Sequence, residues 1–366
     1  MTRWTGAAAA LVMVAGLLGG CGQAFRHDDC PGGPVDEVAH GQAPRMPAAA
    51  DSVWVADGSG SVRAIDGRTG RATATATVAG TEPLIPPVLV TGGGRLWVYR
   101  TDTGTLAIID PASGAVVGRA TVEPVKPAAY QRIIHASGSL WIAQPGRLWR
   151  VGSAGKVTRT ALPADFRPWA FAETGRLLWL GAGTRLLRID PARPASFTEV
   201  ALPDDIGELS YAGGLYATGI NSPVVHRLDP DTGAVVGQVR LKHDEPALSL
   251  AGGWAIGNCG NVVRLPDGLT VRISDVSQDL PSVVALGDLW VGDEIASEIV
   301  RIDGATGKVR ARLPVVAADP DDPAFALLAG RASVWVLDGG VSRVDADRVT
   351  RILPATIGVG LSAAAF

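Results

Sequence analysis

The sequence predicts an all-β domain in which one four-stranded unit is repeated around a ring. Three observations carry that prediction. A strand with a central aromatic recurs, a hairpin with fixed turn chemistry follows each copy, and apolar residues alternate with a period of two. The aromatic strand appears as DSVWVAD at Trp54, GRLWVYR at Trp97, GSLWIAQ at Trp141 and RLLWLGA at Trp179. It continues as GGLYATG at Tyr216, GGWAIGN at Trp254, GDLWVGD at Trp290 and ASVWVLD at Trp335. The copies lie about 36 to about 45 residues apart, the period of a unit that cannot bury its faces alone and must stack on its neighbours.

Each element of the unit has its own justification. The hairpin reads RIDGATGKVRARLPV at Arg301 to Val315, with relatives in VRAIDGRTGRATATATV, LAIIDPASGAVVGRATV and VHRLDPDTGAVVGQVRL. Asp66, Asp110, Asp229 and Asp303 are placed to accept hydrogen bonds from backbone N–H groups ahead of them. Gly70, Gly114, Gly233 and Gly307 supply the positive φ of a bulged return. These Asp residues are read as structural. An apolar strand opens each unit, as in LIPPVLVTG or PSVVALG. β-Branched residues and punctuating Gly favour strands throughout. The repeated Trp residues sit mid-strand, where a large ring fills the space between units. Four strands repeated in this way predict a β-propeller of four-stranded blades, eight blades being favoured by the eight aromatic strands and seven being the rival count. The segment from Gly358 to Ala365 reads as a missing first strand. It is expected to pair with the second strand of the first blade, around Val53 to Ala56, and so close the ring.

The front of the chain is read separately. Arg3 precedes an apolar run from Gly6 to Leu18, too short to span a bilayer. Leu18-Gly19-Gly20-Cys21 then resembles the lipobox of bacterial lipoproteins. The resemblance implies cleavage after Gly20 and acyl chains, palmitate among them, on Cys21. Residues 1–20 are thus expected to be a signal peptide, 21–50 a lipidated, Gly/Pro/Ala-rich tether, and 51–366 the propeller. Two or more acyl chains anchor stably, so the expected location is the extracytoplasmic side of the cell membrane. The two other cysteines, Cys30 and Cys259, form an even pair, and in an oxidising compartment they are expected to form a disulfide tying the tether to the domain.

Composition narrows the function classes. With 47% hydrophobic and 19% charged residues and net charge −3, the chain is globular and has no footprint for nucleic acid. The five His are scattered and no Cys/His set has zinc spacing, so no metal is expected.

The GxLWV and RIDPxTGxVV cadence over Asp51 to Phe366 resembles YVTN-type and streptogramin-lyase-like β-propellers, and more loosely the quinoprotein-like repeats. The lyase resemblance implies a neighbouring His and Glu with magnesium. The closest cluster here, His243-Asp244-Glu245, departs from that spacing. Quinoprotein blades carry Thr-Gly-Lys followed by a docking Trp. Thr306-Gly307-Lys308 is present, but Arg310 and Ala311 stand where that Trp would fall, so no cofactor is expected.

In propellers the loops between strands two and three share a face with the loops between blades. That face is expected to carry Arg100, Tyr130, Trp169, His243, Asp244, Asp293 and Glu294 as partner-binding residues. Its mixture of charges and aromatics suits an envelope protein, peptide or glycan. The expected function is a monomeric, lipid-anchored binding or scaffold module. The alternative is a lyase or hydrolase acting on a small molecule or cell-envelope component.

Overall fold

A computed structural model describes residues 34–37, 52–56, 60–78, 87–125, 131–274, 280–294, 296–315, 325–338, 340–345, 348–354 and 362–365. Its strands form eight four-stranded antiparallel sheets. These are the eight blades, and seven is excluded. Among the described residues there is no α-helix, only a 3-10 turn over Lys242–Asp244.

In blades 2 to 8 the strands follow chain order. Their first strands are Val88–Gly92, Arg132–Ala136, Ala170–Glu173, Ile206–Tyr211, Ala247–Ala251, Ser282–Ala285 and Ala326–Ala329. Blade 1 draws its first strand, Ser362–Ala365, from the far end of the chain. Ala365 pairs with Val53 and Ser362 with Ala56, as the closure reading requires. Residues 357–361 and Phe366 lie outside the described residues. Each first strand packs against the first strand of the next blade, and the series returns from blade 8 to blade 1. The first strands therefore form the inner wall of a closed ring, in which every sheet packs between two neighbours and only short strand edges remain.

Large aromatics seal the seams between blades. Trp54, Trp97, Trp141, Trp179, Trp290 and Trp335 are all fully buried. Trp141 packs with Leu178, Leu180 and Leu187 of the next blade, and Trp335 packs with Val53, Val55 and Ile65 across the closing seam. The indole N–H groups of Trp97, Trp141 and Trp290 donate to the carbonyls of Gly92, Ala136 and Ala285 at 3.2, 3.0 and 3.1 Å. The same residue therefore fills the seam and ties the first strand to the second.

The hairpins behave as their sequence dictates. Asp66 Oδ1 accepts from the N–H groups of Arg68 and Thr69 at 3.0 and 2.7 Å and from the Thr69 hydroxyl at 2.8 Å. Asp229 Oδ1 repeats the pattern with Asp231 and Thr232. Gly70 and Gly233 adopt φ of 69° and 76°, and the register shifts by one residue beside them. These turns lie on the face opposite the interblade loops. The Asp residues are held by their own turns, which accounts for their recurrence without chemistry.

Of the N-terminal segment, Pro34 to Glu37 are described, and Cys21 and Cys30 lie outside the described residues. Asp36 meets the outer strand of blade 6, Leu269–Arg272, through two hydrogen bonds to the backbone of Arg272.

Candidate functional site

The loop face and the inner wall meet at the mouth of the ring, and three side chains converge there. Arg132 opens the first strand of blade 3, Trp169 precedes that of blade 4, and Glu208 lies in that of blade 5. The aromatic strands set their common height. Ile134 pairs with Trp141 and Ser210 with Tyr216, so Arg132 and Glu208 each stand two residues nearer the loop face than the aromatic level. Elsewhere that position holds Val88, Ala170, Ser249 and Ala326. One cation and one acid thus interrupt a layer of small and apolar residues.

Each is held by backbone. The Arg132 guanidinium lies 4.8 Å from the centre of the Trp169 ring, donates through Nε to the Trp169 carbonyl and through Nη1 to the Gln131 carbonyl at 2.9 Å. The Trp169 backbone N–H donates to Gly181 O at 2.8 Å, which fixes the residue's main chain at the start of its strand. Such a stack is worth about 0.5–2 kcal/mol, more as water is excluded. A bulge between Ile206 and Glu208 turns the acid, and its N–H donates to Thr218 Oγ1 at 2.9 Å. Glu208 Oε2 accepts from Leu250 N in the first strand of blade 6. Burial pushes the Glu208 carboxyl up to about 7, although that N–H and the Arg132 charge both pull it down. Burial lowers Arg132 in turn, against the pull of Glu208. A carboxyl poised near neutrality within electrostatic reach of a stacked guanidinium offers a hydrogen-bond donor or an acceptor to a visiting group.

The residues singled out from sequence are distributed around this mouth. Trp169 belongs to it. Arg100 is buried in the blade 2 loop and pairs with Asp102 at 2.7 Å. Asp293 is buried and its Oδ1 accepts from Ala296 N at 3.0 Å, so it shapes its own turn. Glu294 Oε1 accepts from Phe325 N at 3.2 Å, joining blade 7 to the start of blade 8. His243 and Asp244 are exposed, both with positive φ, and Asp244 pairs with Arg240 at 2.7 Å. Glu245 turns inward, where its carboxylate accepts from Cys259 N at 2.5 Å and burial raises its pKa. Tyr130 lies outside the described residues. Glu208 escaped the sequence reading. Its signal was an acid in IGELSY, at a position that other first strands fill with small or apolar residues.

Among the described residues no group of three or more His, Cys, Asp or Glu is arranged to hold a metal ion, and no helix is long and apolar enough to cross a membrane.

Comparison with known proteins bears on the fold. No protein-family model and no curated protein sequence matches the chain. Solved structures do. The chain is similar to the dihydro-heme d1 dehydrogenase NirN in complex with DHE, at 15% identity and a TM-score of 0.59, over 92% of this chain and 81% of that one. It is similar to BamB from Moraxella catarrhalis, at 16% identity and a TM-score of 0.52, over 84% of this chain and 94% of that one. A streptogramin B lyase structure aligns at 15% identity and a TM-score of 0.48, over 84% and 89%. At these identities the likeness is one of fold.

Proposed function

We propose that this protein is a lipid-anchored, extracytoplasmic binding module whose loop face holds an envelope protein, peptide or glycan. The observation that carries the reading is the mouth of the ring, where Arg132 and Glu208 interrupt an otherwise small and apolar layer and Arg132 stacks on Trp169. A rigid aromatic and an arginine at a concave mouth are the residue types that anchor partners. The carboxylates of Asp293, Glu294 and Asp244 are engaged by their own chain, which suits support of the loops more than chemistry. Lipid on Cys21 is supported by the Leu18-Gly19-Gly20-Cys21 sequence. A Cys30–Cys259 disulfide is supported by Asp36, which brings the chain six residues after Cys30 onto the blade that carries Cys259.

The test is capture from envelope extract by the mature domain and by Trp169→Ala, with a hairpin-face variant, Arg68→Ala, as control. Loss of at least about tenfold of a specific captured species, roughly 1.4 kcal/mol, is expected for Trp169→Ala alone. Equal capture by all three proteins would refute the site. The lyase or hydrolase reading draws on one feature, the near-neutral Glu208. It predicts turnover that Glu208→Gln abolishes while binding survives.

A further inference from the structure

The N-terminal segment reaches the propeller at an informative place. Arg272 ends the outer strand of blade 6. It pairs with Asn261, the residue that follows the loop between the second and third strands. Ile273 N then donates to Gly260 O in that loop at 2.9 Å. The end of this strand is therefore at the rim of the loop face. An outer strand presents unpaired backbone groups to solvent, and Asp36 takes both of those that Arg272 offers. Asp36 N donates to Arg272 O at 2.9 Å, and Arg272 N donates to Asp36 Oδ2 at 2.8 Å. The side chain beneath is buried, with the charge of Arg272 acting on the buried Glu245 carboxylate. Glu245 in turn accepts from Cys259 N, so the landing place is braced from inside.

The position contrasts with where the chain enters the ring. Ser52, the first residue of blade 1's second strand, pairs with Asp66, which begins a hairpin turn on the opposite face. Without the contact at Asp36 a leash from Cys21 would arrive at that hairpin face after about 31 residues, with a reach of about 100 Å. With it, the free leash is about 15 residues, about 50 Å at full extension, and it leaves from the loop-face rim.

We propose that residues 34–37 are a latch that pins the leash to the rim of blade 6 and thereby turns the loop face toward the bilayer surface, so that its partner is bound close to the membrane. This rests on the lipid-anchor reading given above. The latch makes the mouth at Trp169 face a membrane-proximal partner and leaves the Asp hairpins facing away.

The experiment uses the full lipidated chain in vesicles with an energy-transfer acceptor on the headgroups. A bioorthogonal donor is placed at Lys242 on the loop face or at Ser153 in a hairpin turn of blade 3, both exposed. Reductant is included so that a Cys30–Cys259 bond cannot substitute for the latch. Transfer from position 242 is expected to exceed that from 153 by about threefold, since a flexible leash of about 15 residues spans roughly 21 Å on average and keeps the rim it leaves from nearer the bilayer than the opposite face. Asp36→Ala removes the acceptor, and Asp36→Pro removes acceptor and N–H together. Both are expected to bring the ratio toward one, Asp36→Pro further. Equal transfer in the unsubstituted chain, greater transfer from 153, or a ratio unmoved by Asp36→Pro would each overturn the latch while leaving the binding reading intact. Failure of the chain to associate with vesicles would overturn the anchor and the latch together.

Discussion

The hairpin turns of blades 1 and 5 and the loop-face ends of blades 5 and 6 treat carboxylates in opposite ways. In these hairpin turns, Asp66 and Asp229 are held below the usual range, first by the hydroxyls and then the N–H groups of Thr69 and Thr232. Near the loop face, Glu208 and Glu245 are pushed up by burial, against weaker pulls from N–H donors and arginine. The difference is one of water. A turn acid meets its donors locally while remaining solvated, so ionisation is favoured. An acid on the inner wall surrenders solvent before any partner compensates. The first arrangement can be copied from blade to blade at little cost. The second destabilises the fold and persists where something other than stability selects it.

Several perturbations break or sharpen this contrast. The largest effect is expected from removing residues 362–366, which takes the first strand from blade 1 and opens the inner wall. The melting temperature should fall by about 5 °C or more, measured by calorimetry. An unchanged value would mean that the ring does not depend on its closing strand. Next comes Glu208. Its folded pKa is raised from 4.5 to about 7, so the stability linked to its protonation is fully present below about 4.5 and is lost as pH rises through about 7. Glu208→Gln keeps an acceptor for Leu250 N without that titration. The variant should gain about 3 kcal/mol relative to the parent between pH 4.5 and pH 8, read from denaturant midpoints. A gap independent of pH would place the acid in water. A smaller loss, about 2 kcal/mol, is expected for Asp303→Ala, because the buried Asp303 accepts from Ala305 N and Thr306 N and pairs with Arg310. The smallest is Asp229→Ala, worth about 1–3 °C at neutral pH. Since hydrogen bonds from Thr232 and Asp231 depress the Asp229 pKa, that difference should vanish as pH falls through its lowered folded value.

The repeat was legible because it is local. Asp229, Thr232 and Gly233 lie within five residues, and their turn closes without help from the rest of the chain. The same holds for the aromatic strands, whose period of two and fixed Trp position define the blade and its buried face. Ring closure was also legible, since a chain with a surplus strand at one end and a missing strand at the other has an evident solution. The mouth was only partly so. Trp169 stood out of register and drew notice, whereas Glu208 acquires its character from burial on the inner wall, and the groups that act on it there, Arg132 and Leu250, lie 76 and 42 residues distant in sequence. Asp293 and Glu294 illustrate the converse. As a sequence pair they read as a site, but their hydrogen bonds run to Ala296 and Phe325. Whether a loop acid faces its own backbone or a partner depends on turn geometry that residue type alone does not encode.

The central claim is that one face of this ring does the binding. Photo-crosslinking in intact envelopes tests it most directly, with a reactive residue at 167 or 242 on the loop face and at 68 or 156 in the hairpin turns, all exposed. A discrete adduct from the loop-face positions, lost when Arg132 is replaced by Ala, is the predicted result. Adducts that form equally well from the hairpin turns, or from those turns alone, would contradict it.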